Sequence, residues 1–232
     1  MAQFSAKKQA VPVLAIDGPS GSGKGTISQL LALRHQWHYL DSGALYRLVA
    51  AAAADAGIVQ HDIPALENLA RNLDVSFVLQ PGAIAKVLLA GKEVSDRLRT
   101  EETGNLASII AAVPEVRAAL LDRQRQFQRP PGLVADGRDM GTTIFPRAVL
   151  KIFLTASPKI RAERRHKQLK QKGFDVNLSR LLGEIRDRDA RDAERSTSPL
   201  KPAEDAVMVD TSSRTIDDVV NHVDDLLNER LG

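Results

Sequence analysis

The chain has 232 residues, 43% of them apolar and 26% charged; this ordinary globular composition is long enough for a sizeable core and excludes disorder or membrane spanning as an overall description. It contains no cysteine, which excludes a disulfide framework and a thiolate-held metal. The formal charge of +3 is uneven: residues 159–195 hold 12 Lys and Arg against 7 Asp and Glu, leaving 20 against 22 elsewhere, so one late segment is built for an anionic ligand while the remainder argues against a nucleic-acid-binding face.

In chain order, the apolar run Val11–Ile16 predicts a strand and Ile27–Leu33 an amphipathic helix, with Gly18, Pro19, Ser20, Gly21, Ser22, Gly23, Lys24, Gly25 and Thr26 between them. Glycines there let several backbone N–H groups converge, the helix N-terminus adds partial positive charge and Lys24 a full one, so the turn is a polyphosphate cradle, a P-loop. A plain glycine linker would lack that strand and helix. Gly25 stands where a hydroxyl residue commonly follows the lysine; Thr26 brings the hydroxyl one residue later, as a candidate ligand of Mg2+.

Trp37–Asp41 predicts a second strand, and the alanine-rich stretch Ala44–Ala56 a helix. At the junction Ser42 is a candidate N-cap, or with Arg47 a second anion site, since open α/β sheets place ligands at strand C-terminal ends. His61–Leu73 returns to helix, with Asp62 as its cap and Pro64 near its first turn. The short runs Val75–Leu79, Ala85–Leu89 and Glu93–Val94, joined at Pro81-Gly82 and Gly91-Lys92, predict a small antiparallel meander, so residues 62–100 are expected to be an insertion into a parallel βαβ succession. Thr100–Thr103 opens another helix and Pro114 one more, through Gln128. Ser108 and Arg117 are polar residues among apolar ones, each, taken singly, more often a solvated helix position than a ligand.

Leu133–Asp136 predicts an apolar strand delivering a carboxylate to the sheet edge, the way P-loop enzymes hold the nucleotide's magnesium, commonly through water. Gly137–Gly141 follows as a glycine-bracketed loop displaying Arg138 and Asp139. Val149–Leu154 and Val207–Asp210 are the last strands, and Ile216–Leu231 is a helix with apolar residues at Ile216, Val219, Val220, Val223 and Leu227. Between those strands lie Arg161, Arg164, Arg165, Lys167, Lys170 and Lys172, then a helix from Asn177 with an apolar stripe at Leu178, Leu181, Leu182 and Ile185. On that helix Arg188, Asp192 and Arg195 continue roughly along the stripe, with Arg191 further round. Charges on a face that enters the core are costly unless a ligand or another charge meets them.

Together these features predict phosphoryl transfer, whose catalysis is mostly positioning and charge neutralisation. Lys24, Arg165, Arg188 and Arg191 are the candidate catalytic cations. A segment that closes over the phosphates is expected within 159–175, from Arg161 to Phe174.

The Gly-Lys-Gly-Thr ending of residues 23–26 resembles that of nucleoside monophosphate kinases. With Leu40–Arg47, Ala135–Thr142 and Arg188–Asp192, the chain from Val11 onward is similar to the bacterial cytidylate kinase family. This resemblance implies a five-stranded parallel core, a nucleoside-monophosphate-binding insert with a small antiparallel sheet, a short lid, and transfer of the ATP γ-phosphoryl to CMP or dCMP. It further implies CMP-phosphate contacts at Ser42, Arg47 and Arg138, cytosine contacts at Ser108, Arg117 and Asp139, sugar-side contacts at Arg188 and Asp192, and Arg195 near the base. Asp136 and Thr26 would serve Mg2+. Rival readings are a kinase of similar build acting on UMP or another acceptor, and a nucleotide-dependent switch, against which no Asn-Lys-x-Asp-like guanine-reading motif occurs. Met1–Ala10 lacks the long apolar core of a signal peptide, so a cytoplasmic monomer acting on small molecules, without nucleic acid or membrane, is the expectation.

Overall fold

The computed structural model describes residues 10–98, 100–171 and 173–232, without the side chain of Glu101; Met1–Gln9, Arg99 within the expected insert and Lys172 within the expected lid lie outside the described residues. Strands β1 (Val13–Asp17), β2 (His38–Asp41), β6 (Leu133–Gly137), β7 (Leu150–Thr155) and β8 (Val207–Asp210) form one sheet in the order β2-β6-β1-β7-β8. All its pairings are parallel, with Ile16 opposite Asp136, Asp17 opposite Gly137, and Asp41 opposite Asp136. A smaller antiparallel sheet joins β3 (Val75–Val78), β4 (Lys86–Leu89) and β5 (Lys92–Glu93).

β1 is apolar until its last residue because both faces of a central parallel strand are covered. Val13 and Ala15 pack on one side with helices α2 (Ser42–Asp55), α3 (Ile63–Arg71), α5 (Glu101–Ile110) and α6 (Pro114–Arg125). Leu14 and Ile16 pack on the other with α1 (Lys24–His35) and α9 (Ile216–Leu231). Two layers of helix therefore sandwich the sheet, and the C-terminal ends of β1, β2 and β6 open onto one edge, where such sheets bind ligands.

Helix α3 starts as expected, Asp62 accepting from the Ala65 N–H and Pro64 standing in its first turn. Residues 62–100 also hold one short helix that periodicity does not reveal, α4 (Ser95–Leu98), and α6 stops three residues before Gln128. Two late helices follow β7: α7 (Pro158–Gln171) and α8 (Leu178–Glu194). The apolar stripe of α8 is shallower than its spacing suggests, Leu181 being buried and Leu178 exposed; Ile216 at the start of α9 is likewise exposed. Among the described residues no single helix is long and apolar enough to cross a membrane; α5 and α6 meet length and composition only as a pair bent by 99°.

Candidate active site

Between Asp17 and α1 the backbone folds into the predicted cradle. Gly18 is obligatory there: with φ +148° and an added Cβ only 2.1 Å from the Leu154 carbonyl oxygen, no side chain fits. Gly23, at φ +94°, caps α1 without a side-chain acceptor, so the first-turn N–H groups of the helix face the cleft. Lys24 is buried and donates from Nζ to the Pro19 carbonyl at 3.1 Å, with Asp136 Oδ1 at 3.9 Å. Burial drives Lys24 and Asp136 each toward its neutral form, lowering the lysine and raising the carboxylate, while their mutual attraction opposes both shifts. A Cβ at Gly25 would stand 3.3 Å from Asp136 Oδ2, so a side chain here would press on that carboxylate.

Two of the late arginines brace this loop. Arg161, 2% exposed, donates to the Ser20 carbonyl at 3.0 Å, to the Ala156 carbonyl at 2.9 Å and to Asp189 on α8. Arg164 reaches Thr211, whose hydroxyl donates to the Ser22 carbonyl at 2.9 Å. Arg165 and Arg188 line the same cleft as the P-loop and Thr26. Arg191 is exposed and is not among the residues lining that cleft.

A second compartment opens beside the first and shares Arg188 with it. Ser42, Ser108, Arg117, Arg138, Asp139, Asp192 and Arg195 all line it, gathered from α2, α5, α6, the end of β6 and α8. Arg47 stands at the junction, lining the space that joins Lys24 and Asp136 to Arg138 and Arg188, and its Nη1 donates to the Leu98 carbonyl at 2.7 Å. The guanidinium groups of Arg47 and Arg188 converge over α5, both 3.7 Å from where a Gly104 Cβ would be.

Two expectations from sequence need correction here. Ser42 is not the cap of α2: Asp41 is, accepting from the Ala44 N–H at 3.0 Å, while the Ser42 hydroxyl donates to Gln124 Oε1 at 2.7 Å. Ser108 and Arg117 are not solvated but buried, the first with a hydroxyl that has no hydrogen-bond partner, the second ion-paired with Asp139 and bonded to the Ala111 carbonyl at 3.1 Å. In the glycine-bracketed stretch Gly137 ends β6, and Met140–Ile144 coils into a π turn. Arg138 is also held, Nε donating to Asp192 Oδ2 at 3.0 Å. Burial alone would raise the Asp192 carboxyl, but Arg138, Arg195 and Arg188 outweigh it and keep the group below the ordinary carboxylate range.

The sequence places Arg161 and Arg164 in the cationic late segment without giving their partners, and it does not reveal Gln124 and Tyr46 as members of the site's support. The Arg117 guanidinium carbon stands 5.6 Å from the Tyr46 ring centroid, and burial pushes the Tyr46 hydroxyl up to about 12. No local pattern could have paired Arg161 with Asp189 or Ser42 with Gln124, 28 and 82 residues apart. Among the described residues no cluster of three or more His, Cys, Asp or Glu side chains is placed to hold a metal by itself.

A P-loop at the edge of a parallel sheet, opening into a second arginine-lined compartment, defines a phosphotransferase of the P-loop class. The cytidylate kinase family model matches residues 14–229, and the chain belongs to that family. A cytidylate kinase of Aeromonas salmonicida (strain A449) is 56% identical over 224 residues, covering 97% of each chain. One of Pseudomonas aeruginosa (strain UCBPP-PA14) is 57% identical over 215 residues, 92% of this chain and 94% of its own. Among solved structures, a gluconokinase from Sinorhizobium meliloti 1021 aligns over 94% of this chain and 93% of its own at 16% identity, with a TM-score of 0.47.

Proposed function

We propose that this protein transfers the γ-phosphoryl group of ATP to CMP or dCMP, yielding ADP and CDP or dCDP. The observation that carries the acceptor half is the floor of the second compartment. There the buried Arg117–Asp139 pair adjoins two buried donor groups without partners, the Ser108 hydroxyl and Nη2 of Arg195. Buried donors left without acceptors cost about 1–3 kcal/mol each, a cost that a bound base removes. Cytosine supplies what such a floor lacks, a ring carbonyl for the donors and an exocyclic amine for the second oxygen of Asp139. Uracil would set a carbonyl against that carboxylate, leaving two acceptors facing each other.

In this reading the P-loop from Gly18 to Thr26 holds the ATP phosphates, and Ser42, Arg47 and Arg138 hold the CMP phosphate. Arg188 and Asp192 take the sugar side and Arg195 the base region. An oxygen of the CMP phosphate attacks the γ-phosphorus in line, and the bond to the β–γ bridging oxygen breaks as ADP leaves. Lys24, Arg165 and Arg188 neutralise charge on the moving group from the cleft walls. Arg191, on the exposed side of α8, is proposed to join them only if that helix turns inward.

The residues also suit Mg2+. Asp136 presents a carboxylate at the strand end and Thr26 a hydroxyl on the cleft wall, hard oxygen donors too few to hold the ion without the nucleotide. Bound with ATP, the ion would supply neutralisation of phosphate charge.

The single chain is read as one kinase domain, with 62–100 as the monophosphate-binding insert and 159–175 as the lid, acting as a cytoplasmic monomer without nucleic acid or membrane. Product analysis tests the reading: ATP, Mg2+ and CMP incubated with the protein should give equimolar ADP and CDP, whereas ADP appearing without CDP would make it a hydrolase or a switch.

A further inference from the structure

Asp17 ends β1 one residue before the phosphate loop, is 4% exposed, and is absent from the walls of both compartments. Both its oxygens are nonetheless committed. Oδ1 accepts from the Met140 N–H at 2.8 Å and Oδ2 from the Gly141 N–H at 2.8 Å. These are donors that the first turn of a helical segment leaves without backbone acceptors. The Asp139 carbonyl, just before them, accepts from the N–H groups of Thr143 at 2.9 Å and Ile144 at 3.1 Å. The peptide carrying Asp139 is thus clamped on one side by its own turn and on the other by a carboxylate from the neighbouring strand.

Burying a carboxylate is costly, and a structure needing only to cover two N–H groups could use a neutral side chain. What two ionised oxygens 2.8 Å from successive donors add is rigidity and direction. We infer that Asp17 is a positioning residue for acceptor recognition: it fixes Asp139 in the orientation that reads the base, and Arg138 before it in the one that meets the acceptor phosphate, without meeting either nucleotide. This rests on the kinase reading given above. Because the strand that carries the donor-phosphate loop also carries this clamp, one element sets the register between the two halves of the site.

The test compares wild type with Asp17→Asn, which keeps the shape but replaces one acceptor by a donor facing an N–H. The expected result is a KM for CMP raised about tenfold or more, and a CMP-over-UMP ratio in kcat/KM reduced to a similar extent. The KM for ATP should stay within about twofold. Parallel loss for both substrates, or an unchanged CMP-over-UMP ratio in a folded variant, would overturn the inference, since a role in stability alone does not select between acceptors. Should the variant fail to fold, amide exchange in the wild-type protein decides: CMP should slow exchange at Met140 and Gly141 and ATP alone should not, and equal effects would overturn it. A wild type that leaves CMP unphosphorylated refutes the kinase reading instead, and is seen before any variant is made.

Discussion

Arg117 and Asp139 form an ion pair in which both side chains are buried, 7% and 4% exposed, and both residues line the pocket that Ser108 and Arg195 also line. A pair so placed is worth little as a stabiliser, because desolvation offsets most of the attraction; its consequence is a fixed pattern of one carboxylate oxygen beside a guanidinium.

Replacing Asp139 by Asn should therefore have two effects. Arg117 is left buried without its counter-charge, which costs about 3–5 kcal/mol and is measured by denaturant unfolding. The preference for CMP over UMP should fall by about 10- to 100-fold in kcat/KM, with ATP binding little changed. An unchanged preference would remove Asp139 from base reading.

Gly25 and Asp136 are close enough that a methyl group between them must displace one. Gly25→Ala should lower kcat by about tenfold or more while the KM for CMP moves far less, because the disturbance falls on the donor-phosphate end. Steady-state kinetics with each substrate varied in turn separates the two ends.

Arg161 ties the phosphate loop to α8 through Ser20 and Asp189. Arg161→Met keeps the packing volume but strands Asp189, 27% exposed on its side chain. A loss of about 1–3 kcal/mol in unfolding free energy is expected, less than for a fully buried pair because water reaches Asp189, together with weaker ATP binding by calorimetry.

Burial raises the Asp17 carboxyl from 3.8 to about 6, against the two N–H bonds that lower it. A folded-state value above the unfolded one means that the fold prefers the protonated group. The contribution of Asp17 to stability is thus greatest below about pH 4 and is lost as pH rises to about 6. Asp17→Asn has no such titration, so its stability cost should shrink by roughly 1–3 kcal/mol between pH 4 and pH 7. Unfolding of both proteins across that range measures it; a cost that grows with pH would contradict the sign.

Much of this molecule was legible in its sequence, for physical reasons that differ by region. The strands beside Gly18, Asp41 and Asp136 are apolar runs that end abruptly in a turn or a charge, so both their positions and the edge they share could be read. α4 could not, being four residues long with no period to display. Ser108 and Arg117 look like surface positions because each is a lone polar residue in a helix; only the tertiary approach of α5, α6 and the loop after β6 buries them together. The resemblance of the Ala135–Thr142 and Arg188–Asp192 motifs to those of cytidylate kinases named them when local pattern did not. Sequence alone leaves Ser42 between a cap and an anion ligand because Asp41, one residue earlier, ends a strand and caps a helix at once.

The most direct test is an acceptor panel: the purified protein with ATP and Mg2+ against CMP, dCMP, UMP, AMP and GMP, followed by coupled ADP release. CMP or dCMP should give the highest kcat/KM, with UMP lower by about 10²-fold or more, as expected when a site reads an amine that the competitor lacks. Turnover of UMP or AMP above that of CMP would contradict it.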